Sequence, residues 1–479
     1  MRLFSMCIAA GLALQVMAGI SGWRMDGSGA NPKATPPVKW GLTDNLAWAT
    51  ALPDWSNASP VLSGNRLFVC AEPDTLLCLD LNGKILWQHS NACEDLLTPA
   101  EKIQLADERA KMAPLTQQEN EANRTRGEKQ KELTQANADL TAAPDNADLK
   151  TKVETLKADM ATLRSQIADV RKQKALLTLC NKCRLPATHA SNGYTSNTPA
   201  SDGKNVWIAF GNGVVACYTL DGTRVWARML EKTSNGWGHS CSPLLVGDTL
   251  IIQYVTAFGL DANTGVERWH RSLGKNWGTP QAVSIGTLNV VVTDIGGVLN
   301  VADGKILGNT GLSMEFGSYL ASGDTVYGAS GATAAAFKLS LGADGALVIT
   351  KLWQVAVSND RYYASPLFAD GLLYLVNAGG HLSVLDAVTG MVKYEQALKI
   401  GGCCYPSPTL CGTTIVQGSE SGRVVMFAAG AVYQELARTS VDSFRSCPLA
   451  DGRRLYIRSS CEKSKLYCFE APLVAEVAK

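Results

Sequence analysis

The sequence predicts an all-β fold: an eight-bladed β-propeller with an inserted antiparallel α-helical coiled-coil hairpin. Three observations lead there. After the first 50 residues a unit recurs, made of an aromatic residue, a proline a few positions on, an Asp/Asn-Gly turn and a closing Trp. Its copies begin at Trp55, Tyr194, Trp237, Trp277, Phe316, Tyr363, Tyr405 and Phe444, and all spacings but the first lie between 39 and 47 residues. A period near 40 with several short strands per unit belongs to blades that must stack to bury both faces. The first spacing is 139, and its excess, residues 94–179, is rich in Ala, Glu, Lys, Leu and Gln and almost free of glycine.

At the N-terminus, Arg2 precedes an apolar run from Leu3 to about Ile20, with Val16-Met17-Ala18 as a cleavage site after Ala18. Residues 1–18 therefore read as an export signal, with an uncleaved anchor as the alternative. The mature chain is expected outside the cytoplasm, periplasmic or associated with the cell envelope. No other stretch is long and apolar enough to span a bilayer.

Residues 23–93 supply a closing strand and the first blade. Arg66-Leu-Phe-Val, Leu76-Leu-Cys-Leu-Asp, the Asn82-Gly83 turn and Ile85-Leu-Trp87 are its strands and turn. The hairpin is expected after the third strand of this blade. Its second half carries a heptad of Leu149, Val153, Leu156, Met160, Leu163, Ile167 and Val170, then Leu177 after a polar Lys174. The first half is weaker, with Leu115, Ala122, Leu133, Ala136 and Leu140, and Ala143-Pro144-Asp145-Asn146 turns between the arms. Residues 180–470 form blades two to eight. In blade two, Tyr194 to Pro199 is the expected inner strand, followed by Asn205 to Phe210, Val214 to Thr219 and Arg224-Val-Trp226. Little strand-like sequence follows Leu466 to Glu470, so Asn45 to Ala51 is expected to supply the missing outer strand of the last blade. Trp48 would take the closing-Trp position there, leaving no open sheet edge.

The formal net charge is +1, from 44 basic and 43 acidic residues, which gives no overall field to attract nucleic acid or acidic lipid. Fourteen cysteines suit an oxidising compartment. Cys70 with Cys78 and Cys461 with Cys468 flank short turns and are candidate cross-strand disulfides. Cys93 at the entry of the insertion could bond Cys180 or Cys183 at its exit. The Cys180-x-x-Cys183 spacing also raises zinc, redox or haem chemistry; Arg184 stands where haem attachment needs a His, and only Cys93 is evident as a further zinc ligand.

The turns carry the motif Ala-x-Asp-x-x-Thr-Gly-x-x-x-Trp, nearest in Gly259-Leu-Asp261-Ala-Asn-Thr264-Gly265-Val-Glu-Arg-Trp269 and then in Val384 to Tyr394. This resembles the PQQ-like (quinoprotein-type) propeller repeat family across the chain outside the signal and the hairpin. The resemblance implies one of two branches. One resembles the outer-membrane β-barrel assembly lipoprotein B, which binds protein and no cofactor. The other resembles quinoprotein alcohol and sugar dehydrogenases, which hold PQQ with calcium at one end of the axis. Openings such as Trp23-Arg-Met-Asp-Gly27 and Leu52 to Pro60 look like the first branch.

Three functions follow as expectations. The first is a non-catalytic scaffold with no cofactor, engaging a protein partner through the hairpin or propeller loops. The alternatives are a PQQ-dependent dehydrogenase and a polysaccharide-binding propeller. The candidate axial face comprises Trp55, Tyr194, Trp237, His239, Trp277 and Tyr363. On the dehydrogenase reading, Trp237 and Trp277 would stack on the quinone beside a vicinal Cys403-Cys404 disulfide, although the family places that pair earlier in the propeller. Pairing of these two with Cys411, Cys447 or Cys241 is equally open. Glu315, Asp360 and Arg361 are the charged residues near blade starts, and the five histidines show no metal spacing.

Overall fold

The computed structural model describes residues 21–274 and 277–473. The expected signal over residues 1–18 lies outside them. The chain forms two compact units, one made by residues up to Asn91 together with Pro186–Lys479, the other by Ala92–Leu185.

The first unit is a propeller-like all-β body. Among the described residues it holds eight sheets, numbered here in chain order: 61–90, 200–229, 244–272, 281–309, 320–360, 367–397, 409–440 and 449–470. Within each sheet, chain neighbours pair antiparallel from a short inner strand outwards. In sheet 2 the inner strand is only Ala200–Ser201, and the expected Tyr194–Pro199 strand is irregular chain. Sheet 8 has three strands of its own and takes Leu46–Ala51 as its fourth, with Trp48 opposite Cys468. Sheet 7 gains Ala30–Asn31, which pairs parallel to its inner strand.

Sheet 5 departs from the pattern, with Leu320–Ser322, a long strand Thr325–Leu341 and Leu347–Asp360. Leu339 N donates to Asp324 O at 2.8 Å, fifteen residues back along the chain. A straight strand of that length would separate them by about 50 Å. The long strand therefore folds back on itself, reversing near Gly331 at φ +56°, and serves as two.

The repeat motif has a direct physical reading. The indole N–H groups of Trp48, Trp87, Trp226, Trp269 and Trp353 donate to the carbonyls of Leu81, Leu220, Ala262, Val301 and Ala387. Each acceptor lies in the turn of the next sheet. There Gly83, Gly222, Gly265, Gly304 and Gly390 have positive φ, and an added Cβ would stand within 2.9 Å of the docked indole. Glycine is required twice over, for the left-handed turn and for the close approach.

A second set of links runs around the inner strands. Ser59, Thr198 and Ser242 donate their N–H groups to Thr198 Oγ1, Ser242 Oγ and Thr279 Oγ1, each at 3.0 Å. Ser318 and Ser365 donate to Ser365 Oγ and Ser407 Oγ at 2.9 Å. Ser407 donates to Cys447 Sγ at 3.4 Å, and Cys447 N returns to Ser59 Oγ at 2.9 Å. All but Ser318 precede a proline, which biases the hydroxyl-bearing residue to extended backbone and withholds a ladder donor at the sheet edge. The recurring proline thus marks the joint between adjacent sheets. Among the described residues, the link from Thr279 to Ser318 is missing.

The second unit opens with the short turn Cys93–Leu96 and holds α1 (Pro99–Ala142), α2 (Ala147–Ala175) and α3 (Thr178–Cys183). The insertion follows the fourth strand of sheet 1, Ile85–Ser90, and not the third as expected, because Val61–Ser63 is a separate inner strand. Thr98 and Glu101 cap α1 reciprocally, with Pro99 in its first turn. Asn146 Oδ1 accepts from Leu149 N at 3.1 Å to start α2. Val153, Leu156, Met160, Ile167 and Val170 are buried, and Ala136 of α1 packs on Val153 and Leu156. Lys174 interrupts the apolar stripe because its ammonium meets Glu119 Oε2 at 2.8 Å, while Arg171 binds Glu119 Oε1 at 2.6 Å. These two partners hold the Glu119 carboxyl below its usual range.

The disulfide expectations need correction. Cys93 bonds Cys183, with Cα atoms 5.1 Å apart, and Cys180 is a free buried thiol. Cys70 and Cys78 are free: Cys70 lies opposite Leu76 and Cys78 opposite Phe68, which makes them diagonal neighbours. A diagonal separation of roughly 7–8 Å exceeds what a disulfide spans. Cys461 and Cys468 are also free, since Cys468 is flanked by Tyr456 and Trp48 while Cys461 lies outside the strands.

Candidate functional site: an aromatic-walled cavity

A cavity of about 720 Å³ opens over the inner ring. Trp277, Phe316, Tyr363 and Tyr405 line one side. These are the starting aromatics of four successive repeats, so equivalent backbone positions set them in an arc. Their neighbouring ring centroids are 5.8, 4.9 and 4.6 Å apart and mutually tilted. The Arg361 guanidinium lies 5.7 Å from the Tyr363 centroid, and that of Arg445 lies 4.4 Å from Tyr405. Arg445 also bonds Glu420 at 2.8 Å and donates to Ser191 O.

Asn57, Ser191, Asn192, Ser196 and Ser240 give the cavity a polar side. Trp237 stands at the cavity with 60% of its surface exposed, its ring stacked on His189 at 4.5 Å. Trp23 also lines the wall. It is placed by its neighbour Arg24, a buried cation that donates to the carbonyls of Pro366 and Pro408. Burial pulls the Arg24 guanidinium below its usual pKa.

Carboxylates hold several repeat starts in position, at the wall and away from it. Asp294 accepts from the N–H groups of Trp277 and Gly278, both at 2.9 Å. Burial pushes its carboxyl up to about 6. Glu72 accepts from Tyr194 N and Thr195 N at 2.9 and 2.8 Å, and desolvation raises its pKa as well. Glu420 accepts from Cys403 N at 3.2 Å while bonding Arg445.

Of the sequence-derived candidates, Trp237, Trp277 and Tyr363 share this wall, whereas Trp55, Tyr194 and His239 do not line it. Trp55 is half-buried, and its carbonyl accepts from Glu72 N. The Tyr194 hydroxyl donates to Pro186 O at 2.8 Å. His239 is buried against Tyr254, ring centroids 4.4 Å apart, and burial lowers its pKa to about 3, so it stays neutral. Of the charged residues near repeat starts, Glu315 and Arg361 line the wall, while Asp360 accepts from Gly379 N at 2.9 Å. Sequence reasoning had placed Phe316 and Tyr405 only as repeat starts, and it missed Arg445 and Asn192 as wall residues. A signal existed for the first two, because they share the register of Trp277 and Tyr363.

These residues do not fit calcium with a quinone. Calcium takes roughly six to eight oxygen ligands with carboxylates prominent among them, whereas Glu315 is the single carboxylate among the described residues of the wall. Among the described residues, no group of three or more His, Cys, Asp or Glu converges. Cys403 and Cys404 are free thiols off the wall, Cys411 and Cys447 form no disulfide, and the Cys241 thiol donates to Gly278 O at 3.1 Å.

The family described as "Outer membrane protein assembly factor BamB" matches residues 182–308 and 293–432, together more than half of the chain. The chain belongs to that family. No curated protein matches it in sequence. Two quinohemoprotein alcohol dehydrogenases share the fold. Enzyme ADHIIG of Pseudomonas putida HK5 is 10% identical, covering 92% of this chain and 78% of its own, with a TM-score of 0.51. The Comamonas testosteroni enzyme is 11% identical, covering 94% and 80%, with a TM-score of 0.51. BamB from Moraxella catarrhalis is 17% identical over 57% of this chain and 83% of its own, with a TM-score of 0.46.

Proposed function

We propose that this BamB-family member is a non-catalytic, eight-bladed propeller with an antiparallel coiled-coil insertion, acting as a protein-binding scaffold of the cell envelope. The observation that carries this reading is the cavity wall. It offers rings, hydroxyls, amides and two guanidinium groups, with one carboxylate and, among the described residues, no cluster of three His, Cys, Asp or Glu side chains. Such a wall holds a ligand; it supplies neither a metal-paired base nor a redox cysteine pair.

The family's description as an outer-membrane assembly factor supports the envelope and a protein partner. An export signal over residues 1–18 would deliver the chain there, and no helix among the described residues is long and apolar enough to cross a membrane. Exposed Trp237 at the cavity is the kind of aromatic anchor on which binding energy concentrates. On the insertion, Ile103 of α1 is 74% exposed and is an apolar contact point for a partner.

Photo-reactive residues placed at Trp237 and at Ile103 in living cells test the reading. A discrete cross-linked protein from either position is expected. The absence of an adduct at both contradicts the scaffold.

A further inference from the structure

We propose that the cavity binds an acidic carbohydrate, a uronate-bearing oligosaccharide chain. This goes beyond the scaffold reading and stands or falls separately from it. The aromatic arc runs over four sheets, and its successive rings are inclined to one another by 38°, 47° and 34°. Such an arc gives no single flat slot for a rigid fused ring. It does present a curved aromatic wall against which the apolar C–H side of sugar rings can pack, because the electron-rich rings attract slightly positive C–H groups.

Hydroxyl groups of the same sugars need polar partners on their other side. Ser191, Ser196 and Ser240 offer hydroxyl oxygens as acceptors there, and the Asn57 and Asn192 amides brace that wall by donating to Ser191 O and Trp237 O at 2.9 and 2.8 Å. A cavity of about 720 Å³ lies within the range that encloses a ligand of drug-like size.

Charge selects the acidic class. Arg361 and Arg445 stand over the two aromatics at one end of the arc, against the single lining carboxylate of Glu315. Arg445 is already paired with Glu420, whereas Arg361 makes no ion pair among the described residues. A guanidinium without an ion-pair partner, held beside Tyr363, is placed to take a ring carboxylate through paired N–H···O bonds.

The test is a titration of the purified chain, followed by tryptophan fluorescence. The probes are tetragalacturonic acid, maltotetraose of equal length, citrate and PQQ. Saturable binding of the uronate is expected, with the neutral sugar at least about tenfold weaker, as loss of a charge-assisted contact implies. Arg361→Gln, at an exposed position, should weaken the uronate by at least about tenfold and the neutral sugar by clearly less. Tyr363→Ala should weaken both sugars, with the thermal unfolding midpoint confirming that each variant is folded. No saturable response to the uronate overturns the proposal. Equal binding of the neutral sugar removes the acidic class, and citrate as tight as the uronate reduces the site to an anion hole. Binding of PQQ alone makes it a cofactor pocket.

Discussion

Asp294 is buried behind the aromatic arc and accepts two backbone N–H groups from Trp277 and Gly278, which fix that end of the wall. Its carboxyl sits at about 6 against a reference of 3.8 because burial outweighs those bonds. The folded chain therefore holds this proton to higher pH than the unfolded chain does. Its contribution to stability is greatest below about pH 4, falls between about 4 and 6, and is level above that. Asp294→Asn should flatten this dependence and be about 1–3 kcal/mol more stable at pH 7, read by urea unfolding across pH 4–8. The Asn oxygen can keep both N–H bonds at the Oδ2 position, while Gln253, whose Nε2 donates to Asp294 Oδ1 at 3.4 Å, must flip its amide to present the unpartnered Oε1 to the new donor. None of this was legible in the sequence. Asp294 lies 17 residues beyond Trp277, and only the return of the next strand brings the two together. Trp277 and Tyr363 recur in register, but register alone did not mark them as wall residues, since Trp55 and Tyr194 share it and do not line the cavity. Arg445 was not legible either, because it follows a repeat start, Phe444, that is itself fully buried.

At the scale of elements, the contact between sheets 4 and 5 differs from its neighbours. It lacks the Thr279–Ser318 link, and Tyr319 stands where the other repeats have proline. The Tyr319 hydroxyl donates to Leu312 O at 2.5 Å and meets Thr310 Oγ1 at 2.7 Å, so it supplies hydrogen bonds at the departure from the pattern. Tyr319→Phe should cost about 0.5–1.5 kcal/mol, the net value of a hydrogen bond lost at a partly buried acceptor. Hydrogen exchange should then rise first in residues 281–360. In the helical unit, α1 and α2 were readable from the heptad and the turn. The bond partner of Cys93 was not, because Cys180 and Cys183 stand three residues apart on the same short helix. Cys93→Ser should lower the stability of this unit by up to about 4–5 kcal/mol, the chain-entropy value for a loop of that length, measured by far-UV circular dichroism. The expected bonds within sheets 1 and 8 failed for a simpler reason. Turn spacing alone did not fix which residues stand opposite each other.

At the scale of the whole β unit, an early strand and a late one meet in sheet 8. Leu46–Ala51 pairs with Lys465–Glu470, as the missing outer strand and the position of Trp48 predicted. Arg458, fully buried, donates to the carbonyls of Asp54, Ser56 and Cys70, tying sheet 8 to the start of sheet 1. That cation was invisible in the sequence, where an arginine in a last strand reads as surface. The period gave the number of sheets, and the Gly-Trp docking gives it a cause. The chemistry at the centre did not follow from the period, since the same repeat serves wall residues and buried ones alike.

The claim that this centre binds without catalysing is tested most directly by adding PQQ and calcium to the purified mature chain and following dye reduction over a panel of alcohols and sugars. The account predicts no substrate-dependent turnover at any quinone concentration. Saturable quinone binding followed by turnover would contradict it and make the protein a dehydrogenase.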